Sequence, residues 1–135
     1  MDGLHGAILS VKLRHLDMWT AERQGHAAAY DAGLADSDLR LPLRPNGRNS
    51  VHHLYVVEHD DRDALMERLA GEGIHTAIHY PHALPTMPCY AEWNAGAKED
   101  FPVATGMADR IVSLPMFPEL TDDEREHVVQ CLLKG

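Results

Sequence analysis

The sequence predicts an α/β chain of α+β character, in which a long N-terminal helix precedes a small three-stranded sheet with helices packed on it. Three observations carry that expectation. Apolar residues recur at helical spacing from Asp2 to about Ala32, three short β-rich runs follow between turn residues, and the chain ends in a capped amphipathic segment.

In the first helix, Leu4, Ile8, Val11, Leu16, Trp19 and Ala27 form the apolar stripe, with Lys12, Arg14, Glu22 and Arg23 mostly between them and Gly33 at its end. Its first turns, MDGLHGAIL, are small and apolar on several sides, which suits close packing against something larger than the rest of this chain. LRLPLRPNGRNS reads as a short edge strand, then a turn at Pro45, Asn46 and Gly47. VHHLYVV, residues 51–57, is β-branched, aromatic and apolar on both faces, as a buried strand requires.

Asp60 or Asp61 can cap the next helix, whose inner stripe is Leu65, Met66 and Leu69 and whose end is Gly71 or Gly73. Ile74 to His79 alternates as a second strand, with Ile74, Thr76 and Ile78 on one face and His75, Ala77 and His79 on the other. Pro81 stops it, and residues 81–100 are irregular. A short helix over 103–109 leads to a third strand in RIVSLPMF. The last helix opens on a capping box, Thr121 with Glu124, and turns Val128, Val129 and Leu132 inward. The chain divides into residues 1–35, a helical region suited to dimer or inter-domain contacts, and residues 36–135, a small α/β domain.

Composition narrows the function. The 135 residues are 44% hydrophobic, enough for one real core. A formal charge of −9 without a cluster of Lys and Arg argues against nucleic-acid or anionic-membrane partners, and leaves small molecules or proteins. Cys89 and Cys131 have no CxxC spacing, which fits a reducing, cytoplasmic setting. No apolar run reaches the length of a spanning helix, and the N-terminus lacks the order of a signal peptide.

Ten histidines invite a metal, and His52, His53, His59, His75, His79 and His82 are the candidates. HExxH and Cys/His patterns are absent, however, and His75 and His79 would lie about 13 Å apart on a strand. No metal site is expected. GxSxG and Gly-rich phosphate loops are missing too, and Cys89 shows no sign of activation beyond nearby histidines, so it reads as a structural thiol. For His79 and Tyr80 the plain alternative is a strand end packed in the core. Their place at a strand end running into a Pro-rich loop favours a ligand-facing role. His53, on the neighbouring predicted strand, has a weaker claim.

MDGLHGAILSVKLRHLDMW, VHHLYVV, RDALMERLAGEGIHTAIHYP and FPVATGMADRIVSLPMFPELTDDE, in this order and spacing, resemble the C-terminal portion of the DegT/DnrJ/StrS family of pyridoxal-phosphate-dependent sugar aminotransferases. The resemblance covers essentially the whole chain. It implies the end of the dimer-forming helical region and the small C-terminal domain of a type I aminotransferase homodimer, which moves an amino group, usually from glutamate, to a keto group on a nucleotide-linked sugar. It also implies that His79 and Tyr80 of the HYP motif line the sugar-nucleotide pocket, with His53 supporting them from the adjacent strand. Where many relatives continue His-Leu-Gln-Pro-Ala-Tyr, this chain has Pro85, Thr86, Met87, Pro88, Cys89 and Tyr90.

The Schiff-base lysine is expected upstream, since Lys12, Lys98 and Lys134 lack its apolar pocket and motif context. No residue is assigned to catalysis or to the cofactor, and the chain alone is expected to bind no pyridoxal phosphate. Three readings follow. The chain is a C-terminal fragment of a sugar aminotransferase, inactive alone; a free-standing binding or dimerisation module built on the same small domain; or a histidine-rich metal binder. A start at a motif that sits mid-chain in relatives favours the first.

Overall fold

The computed structural model describes residues 2–44, 48–93 and 100–134. The turn expected at Pro45, Asn46 and Gly47 lies outside the described residues, as does Lys98. In chain order the elements are α1 (Gly3–Leu13), α2 (Leu16–Gly33), β1 (Tyr55–Glu58), α3 (Arg62–Gly71), α4 (Pro102–Ala108), β2 (Ile111–Leu114) and α5 (Asp122–Leu133), with short 3₁₀ turns at Leu84–Thr86 and Pro88–Trp93.

The single long N-terminal helix is in fact two. Arg14 N–H bonds to Val11 O at 3.3 Å and His15 N–H to Lys12 O at 3.0 Å, so the spacing tightens from four residues to three before Trp19 N–H resumes the α pattern on His15 O. Neither Pro nor Gly marks the break. α2 ends at Gly33, as the sequence indicates.

The expected three-stranded sheet is also reduced. β1 and β2 pair antiparallel, Tyr55 opposite Leu114 and Glu58 opposite Ile111, in a two-stranded sheet. The segment from Ile74 to His79 joins β2 through one bridge, Ala77 to Ser113, and Arg40 joins β1 through another, at Glu58. The lateral order is therefore Arg40, β1, β2, Ala77. β1 starts at Tyr55 rather than Val51, and its Tyr55 and Val57 are buried.

Elsewhere local signals hold. Asp61 caps α3 by accepting from Ala64 N–H, Gly73 turns the chain at φ +77°, and Leu65 and Leu69 face the core. Thr121 and Glu124 complete the capping box of α5. All of β2 is buried, and the core runs from the C-terminal half of α2 through both strands to α3 and α5. Each fully buried aliphatic side chain there contributes about 1.5–3 kcal/mol. Gly33 lets α2 approach α5: a Cβ at this position would lie 3.0 Å from Val129 Cγ1. The two tyrosine hydroxyls beside the core are matched, with Tyr30 donating to Pro115 O (3.1 Å) and Tyr55 to Asp31 Oδ1 (2.7 Å). Burial, foremost, pushes both phenols well above the usual tyrosine range.

Candidate functional site

The HYP segment hangs from β2 by three contacts on one residue. Ser113 and Ala77 exchange backbone bonds of 2.8 and 3.2 Å, and the buried Ser113 Oγ meets His79 Nδ1 at 2.9 Å. A hydroxyl can both donate and accept, so Ser113 fixes the ring position of His79 in either tautomer. The next peptide, His79 to Tyr80, is cis. The two rings meet edge to face at 5.7 Å between centroids, and Tyr80 remains 73% exposed. The result is a half-buried imidazole held by the sheet beside a phenol presented to solvent, an arrangement suited to hydrogen bonding with a polar ligand rather than to core packing.

His53 does not join this pair. The lateral order places β2 between β1 and the His79 segment, so the adjacent-strand support expected of His53 is not formed, and its side chain is exposed. Its neighbour His52 turns inward instead. His52 is 8% exposed, has φ +46°, and borders a cavity of about 580 Å³ with Gln24, Arg44, Arg48 and Asn49. A non-glycine residue in the left-handed region is uncommon, and such positions concentrate at functional sites. Burial first, and then the Arg44 cation, hold the His52 imidazole below its usual pKa, with Asp31 opposing. Arg44 pairs with Asp31 at 2.6 Å. The signal that could have found His52 was the strand start: with β1 beginning at Tyr55, residues 51–54 are not bound to strand alternation.

None of the histidines proposed as metal ligands converges. Among the described residues, one group of three, Glu72, His127 and Cys131, brings ligand atoms within 4.8 Å of one another. Cys89, expected to be structural, is exposed, whereas Cys131 is buried. No helix among the described residues is long and apolar enough to cross a membrane.

Comparison with known proteins gives this geometry its context. The profile of the DegT/DnrJ/EryC1/StrS aminotransferase family matches residues 1–133. The chain is 38% identical to the erythromycin biosynthesis sensory transduction protein EryC1 of Saccharopolyspora erythraea, over 100% of this chain and 37% of that protein. It is 35% identical to the dTDP-3-amino-3,6-dideoxy-alpha-D-galactopyranose transaminase of Aneurinibacillus thermoaerophilus, over 98% of this chain and 36% of the relative. The crystal structure of Streptomyces venezuelae DesV, in complex with a ketimine intermediate, superposes with a TM-score of 0.91 at 33% identity, over 95% of this chain and 34% of that one. The chain thus spans about a third of the length of the curated relatives it matches.

Proposed function

The chain belongs to the DegT/DnrJ/EryC1/StrS aminotransferase family, and on that premise we propose that it is the C-terminal, substrate-facing segment of a pyridoxal-phosphate-dependent aminotransferase of nucleotide-linked keto sugars. The names of its relatives support the substrate class, since several are transaminases of dTDP- and UDP-linked sugars. The observation that carries the reading is the suspension of His79 from Ser113 with Tyr80 exposed beside it. Tyr80 donates to a sugar or phosphate oxygen, and His79 lines the same wall.

On this reading the cofactor is held mainly by the rest of the enzyme. Lys12 lies on α1 with its Nζ 5.7 Å from the Trp19 ring centroid, beside an open hollow with Leu9, Leu13 and Leu16, and Lys134 is exposed just after α5. Bound to the complete enzyme, pyridoxal phosphate supplies the electron sink for amino transfer from the donor. This chain contributes substrate contacts. Residues 1–35 serve the dimer or inter-domain contact and residues 36–135 form the small domain, in a cytoplasmic homodimer. In support, Leu4, Leu9 and Leu13 of α1 stay more than half exposed.

The test is Tyr80→Phe in a full-length relative carrying the 74–90 segment of this chain. Sugar turnover is expected to fall about tenfold, the worth of one hydrogen bond to a charged or polar substrate group, with cofactor absorbance unchanged. Equal loss of turnover and of bound cofactor would overturn the assignment of Tyr80 to the substrate side.

A further inference from the structure

We propose that Glu72, His127 and Cys131 form a binding site for a divalent ion of the zinc class, joining the end of α3 to α5. Thiolate, imidazole and carboxylate together are a ligand set that favours zinc or cobalt over magnesium or calcium. His127 and Cys131 stand one turn apart on α5, and Glu72 is the C-terminal cap of α3. The three ligand atoms lie within 4.8 Å of one another, and Cys131 Sγ is 3.9 Å from His127 Nδ1. Tetrahedral zinc, with bonds of about 2.3 Å to sulfur and about 2.0 Å to nitrogen, needs roughly 3.5 Å between those ligands.

The surroundings already orient the ligands. His127 Nε2–H donates to the main-chain carbonyl of Glu72 at 3.1 Å, which leaves Nδ1, the nitrogen without that proton, free to coordinate. A backbone carbonyl on the far ring nitrogen is a usual orienting partner of a metal-bound histidine. Arg68 donates to the Cys131 main-chain carbonyl and so ties the same two helices. Cys131 is 2% exposed, while Glu72 and His127 are open to solvent and give an ion its entry. On binding, the Cys131 thiol releases its proton to the buffer and the fourth position is left for water. Binding to the folded form alone would raise stability by mass action.

The experiment is a cobalt(II) titration of the 135-residue chain carrying Cys89→Ser, in a non-thiol reductant, with zinc as competitor. One equivalent is expected to produce a thiolate-to-cobalt absorption band together with the visible bands of a tetrahedral site, and zinc should abolish both. Because Cys131→Ser changes a buried position and could disturb folding, His127→Gln and Glu72→Gln, at exposed positions, are the deciding variants. Each should weaken cobalt binding about tenfold or more while the metal-free chain still unfolds cooperatively. Cobalt bound without a thiolate band, or with equal affinity in His127→Gln and Glu72→Gln, would place the ion on other histidines and overturn the proposal.

Discussion

α1 and α5 are nearly equal in length, at 11 and 12 residues, yet the more apolar of the two is the one that buries nothing. α1 is rich in Leu, Ile and Val and has no buried residue, whereas α5 is charged through its first half and buries Val128, Val129, Cys131 and Leu132. Apolar content measures what a helix could contribute; stability comes only from the surface it meets. α5 meets α2 through the gap at Gly33 and meets α3 beside Cys131. α1 meets little within this chain, and on our reading its surface is completed by the rest of the enzyme and its second subunit.

That contrast can be broken by substitution. Leu132→Ala on α5 should cost about 2–5 kcal/mol in urea unfolding, from lost burial and the cavity left behind. A cost below that of Leu9→Ala on α1, expected within about 0.5 kcal/mol, would reverse the comparison. Gly33→Val should wedge α2 from α5 against Val129, at about 1–3 kcal/mol by the same measurement.

Smaller effects sharpen it. Thr121→Ala removes the cap of α5 and should cost about 1 kcal/mol. Leu4→Gln with Leu9→Gln should leave stability nearly unchanged but reduce self-association in sedimentation, because the altered side chains lie on the open face of α1. Smallest is a pH effect at the α5 cap. The Thr121 N–H, and then its hydroxyl, hold the Glu124 carboxyl below its ordinary range. A carboxyl depressed in the folded state stabilises above its unfolded pKa, and that contribution is lost as pH falls through the folded value. Glu124→Gln should therefore flatten the acid limb of the unfolding midpoint.

Much of the fold was readable because its causes are local. The Asp61 cap, the Gly73 turn, α4 and the Thr121–Glu124 box each depend on residues a few positions apart. The break between α1 and α2 was not readable, because a switch to three-residue spacing at Arg14 and His15 needs neither Pro nor Gly. The second expected strand failed for a related reason: alternation from Ile74 to His79 describes a segment facing a sheet, but only tertiary contact sets how many residues pair, and here Ala77 alone bridges. At the candidate site, the strand-end position of His79 and Tyr80 was legible in the sequence, whereas the placement of His52 and His53 ahead of the strand turned on the first residue of β1. Glu72, His127 and Cys131 meet across 55 residues of sequence separation between Glu72 and His127, beyond any spacing rule.

The most direct test of the central reading is the intact mass of the native protein, taken with the coding sequence just upstream of Met1. A longer product with a Schiff-base lysine ahead of MDGLHGAIL is the result the aminotransferase reading predicts. A mature product of only these 135 residues would contradict it and assign the chain to binding or association.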